Sequence, residues 1–138
     1  MSDGVVRCVL SGSYRKDRNG LLSAYRELVT NGCQVLSPHR LDFEEQDVLF
    51  VRDRAEASFS EEVIERHHLL AITQADFVWL HAPKGYIGPS AAFEIGYALA
   101  HSIPVYTAEE IDNKGLRPFT TLVASVYKGI ESLNKNPL

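Results

Sequence analysis

The sequence predicts a single α/β domain over residues 1–138, with a parallel sheet of about five strands and helices on both faces. Two observations predict it. Short apolar, β-branched runs alternate with segments of helical periodicity along the chain, the pattern of strands joined by crossover helices. The 138 residues, 45% of them hydrophobic, suit one packed core.

The elements follow in order. Val5-Val6-Arg7-Cys8-Val9-Leu10 is a central-strand run, broken by Ser11-Gly12-Ser13. Leu21, Tyr25, Leu28 and Val29 recur at helical spacing. Asn31-Gly32 ends that helix, because glycine tolerates a left-handed cap. Gln34-Val35-Leu36-Ser37 is the second strand, closed by Pro38. Residues 38 to about 57 carry charge without periodicity and read as a mobile loop. Ser58-Phe59-Ser60-Glu61 has the spacing of a capping box, and the helix it opens runs to about Gln74. Asp76-Phe77-Val78-Trp79-Leu80-His81 is the third strand. A breaker-rich loop covers 83–89, a helix starts at Ser90 and runs through Ala100, and Ile103-Pro104-Val105-Tyr106 is the fourth strand. Beyond Asn113 the pattern weakens to a short helix near Phe119, a fifth strand near Val126 and a terminal turn.

Composition excludes several classes. The net charge is −4, with no block of like charges, so there is no electrostatic footprint for nucleic acid. A basic pocket for a small anionic ligand stays open. Cys8 and Cys33 form no Cys-x-x-Cys pair, which argues against a cysteine zinc site or a thioredoxin-type motif. Two buried thiols fit a reducing cytoplasm. The first seven residues lack a signal peptide's apolar stretch, and no segment is long enough to span a membrane. His67 and His68 have no third ligand at metal spacing, so neither metal nor cofactor is expected.

In a parallel α/β sheet, ligands bind outside the carboxyl ends of the strands where the strand order reverses. Three loops are expected there: 11–18, 38–54 and 82–90. In the first, Gly12 lets a backbone approach a ligand, Ser13 offers a hydroxyl beside Tyr14, and Arg15 can clamp a phosphate or carboxylate. Read alone, the segment favours a plain strand-to-helix turn with a solvated Arg. His39 lies at the carboxyl edge, as a loop histidine or a contact for a sugar or base. The most informative segment is Gly85-Tyr86-Ile87-Gly88-Pro89-Ser90-Ala91-Ala92-Phe93-Glu94-Ile95-Gly96-Tyr97-Ala98. Its helix start offers backbone N–H groups to an anion. Glu94 falls about one turn in, where the helix dipole favours the ionised carboxylate. Small neighbours and Gly96 suggest close packing around it. An ionised carboxylate beside a pocket acts as a nucleophile or steadies a developing cation.

Gly12-Ser13-x-Arg15, His39, Ala75-Asp76 and Phe93-Glu94-Ile95-Gly96-Tyr97-Ala98 followed by Ile103-Pro104-Val105 resemble the nucleoside 2-deoxyribosyltransferase superfamily. The closer likeness is to its 2′-deoxynucleoside 5′-phosphate N-hydrolase branch, over roughly residues 5 to 107. The resemblance implies a flavodoxin-like sheet, a small-molecule nucleoside or nucleotide as substrate, and a homo-oligomer. It implies that Glu94 attacks the anomeric carbon to form a glycosyl-enzyme intermediate, which a base or water then resolves. It makes Arg15 a phosphate-side arginine. The chain departs from the family at three positions: His68 stands where the family has an Asp, Gly88 where it has Asp or Ser, and Val9 where a Tyr is common. Ser90, two residues after Gly88, and Glu65, one turn before His68, are the nearest substitutes.

The resulting expectation is an enzyme acting on an N-glycosidic bond. Glu94 is its nucleophile and His68 handles protons; Gly12, Ser13, Tyr14, Arg15, His39, Gly88 and Ser90 bind substrate. The rival from another class is a nucleotide-binding sensor without turnover, which the replacement of Asp by His68 favours. A phosphoribohydrolase of the lysine-decarboxylase-like type lacks its Pro-Gly-Gly-x-Gly-Thr signature here. A receiver-type phospho-acceptor would need an Asp where the third strand ends in His81-Ala82.

Overall fold

The computed structural model describes residues 4–14, 16–38 and 60–135. Five parallel strands form one sheet: β1 (Arg7–Gly12), β2 (Gln34–Ser37), β3 (Phe77–His81), β4 (Val105–Thr107) and β5 (Thr121–Leu122). Their order is β2-β1-β3-β4-β5, the flavodoxin-like arrangement, with its reversal of direction between β1 and β3. The helices are α1 (Arg18–Thr30), α2 (Glu61–Gln74), α3 (Pro89–Ala100) and α4 (Val126–Lys135).

Strand alternation divides the core in two. Cys8, Leu10, Phe77, Trp79 and Tyr106 face one way, and pack with Leu21, Ala24 and Leu28 of α1 and Val126 of α4. Val9, Val78, Leu80 and Val105 face the other way, and pack with Ala71 and Ile72 of α2 and Ala91, Ile95 and Ala98 of α3. Helices therefore cover both faces. Leu10, Leu21, Leu28 and Phe77 are fully buried, and each such side chain contributes about 1.5–3 kcal/mol of transfer free energy.

Local signals account for most boundaries. The Asp17 side chain caps α1 by accepting from the Gly20 N–H at 3.1 Å, and Gly32 takes φ +85° after the helix. Ser60 caps α2, accepting from the Val63 N–H at 3.2 Å. The cap thus falls two residues beyond the Ser58 expected from the capping-box spacing, and Ser58 itself lies outside the described residues. The expected loop at 38–57 also falls outside them from residue 39 onward. The fifth strand is at Thr121–Leu122, not near Val126. Val126, Ile130 and Leu133 recur at helical spacing and all pack against the core beside α1, so this stretch folds as α4. The Glu27 carboxylate meets its first N–H, that of Val126, at 3.2 Å. The short helix near Phe119 is a 3₁₀ turn at Arg117–Phe119.

Candidate active site

β1 runs on past Leu10 to Gly12, so Ser11 is a strand residue. Alternation turns it toward the Val9 side, the side covered by α2 and α3. There the Ser11 hydroxyl donates to Glu94 Oε1 at 2.5 Å, and both residues are buried. His68, on α2, places Nε2 3.2 Å from the same oxygen. Its other nitrogen, Nδ1, lies 2.6 Å from Ser37 Oγ. Glu65, one turn earlier on α2, brings a second carboxyl close enough to Glu94 for each to shift the other's proton affinity. A buried chain therefore runs from β2 through α2 and α3 to β1.

Ser37 reaches this chain because of an irregularity in the sheet. Cys8 pairs with Val35, but Val9 pairs with Ser37, so Leu36 is an extra residue in β2. A bulge of this kind re-aims the side chain after it. Ser37 thus shares the side of Val9 and meets α2.

Glu94 is the sixth residue of α3, because the helix begins at Pro89, one residue before the expected Ser90. It lies in the second turn, where the influence of the helix dipole has largely decayed. What governs its charge is contact. Burial pushes its carboxyl up, but the His68 ring and hydrogen bonds from His68, Glu65 and Ser11 outweigh that and hold it below the ordinary carboxylate range. The opposite happens to Glu65. Burial first, then its hydrogen bond to Glu94 and the charge of Glu94, push its carboxyl up to about 8. One Glu65 oxygen, Oε2, is buried with no hydrogen-bond partner. Two neighbouring carboxyls are thereby driven apart, one to the ionised form and one to the protonated form at neutral pH.

The other expected site residues fall as follows. Gly12, at φ +138°, leaves room for the backbone of β3, since a Cβ there would collide with the His81 carbonyl oxygen. The Ser13 hydroxyl accepts from the Lys16 N–H at 3.3 Å. Tyr14 packs against the core on the α1 side. Gly88 is the N-cap residue of α3, which has no side-chain cap, and Ser90 is half-buried in its first turn. Arg15 and His39 lie outside the described residues. Gly96 is exposed, and a Cβ there would meet nothing within 4 Å, so close packing inside this chain does not explain it. The loop before α3 is pinned: the Lys84 N–H donates to Glu109 Oε1 at 3.0 Å, and the Asp112 N–H to the Gly85 carbonyl at 2.9 Å. Lys16 Nζ stands 4.7 Å above the Tyr86 ring, joining the loops after β1 and β3.

Ser11 and Ser37 are the residues that sequence reasoning missed. Ser11 carried a usable signal, an inward position two residues after Val9. Ser37 did not, because strict alternation assigns it to the other face. Among the described residues, no group of three His, Cys, Asp or Glu side chains is arranged to hold a metal ion. No described helix is long and apolar enough to cross a membrane.

No protein-family model matches the chain, and no curated protein matches it in sequence. Solved structures do share its fold. A CMP N-glycosidase of Clostridium botulinum superposes with a TM-score of 0.57 at 14% identity, over 94% of this chain and 98% of that one. A 2-deoxyribosyltransferase from Leishmania mexicana gives 0.57 at 11% identity, over 96% and 99%. A conserved protein from Enterococcus faecalis V583 gives 0.52 at 17% identity, over 97% and 77%. At these identities the likeness is one of fold.

Proposed function

We propose that this chain cleaves or exchanges the N-glycosidic bond of a nucleoside or its 5′-monophosphate through a covalent intermediate on Glu94. The observation that carries the reading is the pair of adjacent carboxyls, Glu94 held ionised and Glu65 pushed up to about 8. A retaining glycosyl transfer uses one ionised and one protonated carboxyl, flanking the bond that breaks. The fold neighbours support the reading, since two of them are named for nucleotide N-glycosidase and deoxyribosyltransferase activities.

In this mechanism a Glu94 oxygen forms a bond to the anomeric carbon as the carbon–nitrogen bond breaks. The electron pair of that bond leaves with the base, which takes the Glu65 proton. Water, or a second base, then attacks the same carbon and releases Glu94, while the Glu65 carboxylate accepts the incoming proton. Ser11 and His68 orient the nucleophile. Gly12, Ser13, Tyr14, Gly88, Ser90 and the start of α3 hold sugar or phosphate, with Arg15 and His39 assigned to the same task by sequence. The test is incubation with a panel of nucleosides and 5′-monophosphates, followed by chromatography for free base. Base release that Glu94→Gln abolishes supports the mechanism; release unchanged in that variant overturns it.

One observation favours the second reading, a nucleotide-binding sensor. Glu94 Oε1 already accepts from Ser11 and faces His68 Nε2, and a carboxylate so engaged is a weaker nucleophile. Monophosphate binding by calorimetry without base release from any panel member would select that reading.

A further inference from the structure

We propose that His81 is a positioning residue for substrate binding: from the end of β3 it holds both ends of the loop after β1, which carries Ser13 and Tyr14. The inference rests on the reading that this loop contacts the sugar or phosphate of a nucleoside or nucleotide.

The loop leaves β1 at Gly12 and enters α1 at Arg18, with Asp17 as the N-cap residue. At its first end, Gly12 pairs with His81 in the sheet, and a side chain on Gly12 would collide with the His81 carbonyl. At its second end, His81 Nε2 stands 3.1 Å from Asp17 Oδ2. The other Asp17 oxygen, Oδ1, accepts from the Gly20 N–H at 3.1 Å. The Gly20 N–H above all, and the His81 ring with it, hold the Asp17 carboxyl below its ordinary range. An ionised carboxylate only accepts, so Nε2 carries a hydrogen and donates it, whether the ring is neutral or charged.

Gly20 sets this contact apart from an ordinary helix cap. Glycine is among the poorest helix formers, yet it stands in the first turn of α1, three residues after the N-cap. That position ordinarily carries a side chain, often Glu, beside a capping residue, so the cap alone does not call for glycine. Here a Cβ would collide with Asp17 Oδ2 and lie 2.9 Å from His81 Cε1. The glycines that bracket the loop, Gly12 and Gly20, thus both leave room for His81 and its partner.

Alternation along β3 puts His81 on the side of Phe77 and Trp79, toward α1. Ser11 meets Glu94 on the opposite side, so His81 acts on the loop and not on the reacting carboxylate. The segment after β3 ties the loop a second time, through Lys16 Nζ over the Tyr86 ring. A loop fixed beforehand loses less conformational freedom when substrate arrives. That gain is the same for bound substrate and for the transition state, so it acts on KM and not on kcat.

The experiment combines amide hydrogen exchange of the full chain, read over residues 13–20, with steady-state kinetics on the nucleoside or 5′-monophosphate that the panel shows to be cleaved fastest. In His81→Leu, exchange over 13–20 quickens roughly tenfold. KM rises roughly tenfold while kcat stays within about twofold of wild type. Asp17→Ser, which keeps a capping hydroxyl too short to reach the ring, does the same. His81→Gln, whose amide nitrogen falls near the place of Nε2, restores both measurements. Gly20→Ala also raises KM, although alanine is the better helix former and a merely structural role predicts no loss. Wild-type exchange in His81→Leu overturns the proposal, as does an unchanged KM in Gly20→Ala or a loss confined to kcat. If no panel member is cleaved, the exchange measurement still decides whether His81 holds the loop, and the failure belongs to the catalytic reading alone.

Discussion

The two faces of the sheet are built on different terms. The face under α1 and α4 is apolar, closed by Leu10, Leu28, Phe77, Trp79 and Val126. The face under α2 and α3 has an apolar centre, yet at the carboxyl ends of the strands it buries Ser11, Ser37, His68 and Glu94. Burying such groups costs free energy even when they are hydrogen-bonded, and an apolar set of the same shape would generally be no less stable. The first face therefore reports what this fold needs to stand. The second carries the groups that the proposed function draws on. Among the described residues, four of the five buried polar ones belong to one connected network, and only Thr107 stands apart, bonding to Glu109 at the end of β4.

The sharpest way to break this comparison is Glu94→Gln. The side chain keeps its shape but loses the charge, so turnover falls by roughly three orders of magnitude or more while the fold persists. Single-turnover base release and a circular-dichroism melt measure the two halves of that statement. Wild-type turnover in the variant would return Glu94 to a structural role.

Glu65→Gln comes next, lowering turnover by roughly a hundredfold or more, because the amide still donates to Glu94 but cannot give up a proton. The pH dependence carries the same signature. Wild-type activity falls as pH rises through about 8, where Glu65 loses the proton that the leaving base requires. Stability moves the same way. Between the ordinary glutamate range and about 8, folded Glu65 retains a proton that the unfolded chain releases, so the folded state binds more protons and stability declines as pH rises. Glu65→Gln removes that decline. Thermal melts across pH 5 to 9 check it, and parallel curves for wild type and variant would show that Glu65 titrates normally.

Leu28→Ala probes the opposite face. Leu28 is fully buried, and the truncation costs about 2–5 kcal/mol by urea unfolding. Turnover per folded molecule stays unchanged, since Leu28 packs across the sheet from Glu94. A comparable loss of turnover at temperatures where the variant is fully folded would mean that the two faces are not independent.

The smallest effect concerns assembly. Phe93 and Leu99 on α3 are 55% and 50% exposed, and Leu122 on the edge strand is 57% exposed, while Gly96 has open space above it. A two-fold dimer, as the sequence resemblance implies, gives the α3 side chains a partner. Light scattering at micromolar protein is expected to return the dimer mass, and Leu99→Glu to shift it toward the monomer. A monomeric wild type would remove the proposal.

Sequence by itself determined the alternation of strand and helix, hence a parallel sheet covered on both sides. That pattern depends on local periodicity, which each segment carries in its own residues. Glu94 was legible as a candidate as well, because a Gly-Pro-rich loop before a helix of small residues is a place where backbone and carboxylate can face a ligand. Position 65 was visible as a stand-in for the family's Asp, but its raised pKa was not, since that depends on burial beside a second carboxylate. The tail misled because a two-residue strand leaves almost no periodic trace, whereas Val126, Ile130 and Leu133 needed the core of α1 to reveal their role. Tertiary structure alone decided the support around Glu94. Ser11, Ser37, His68 and Glu94 come from four different elements, and a β-bulge places Ser37 on the face that strict alternation denies it. A shift of one residue in a parallel ladder depends on how two distant strands settle against each other, and no local pattern in either strand records it.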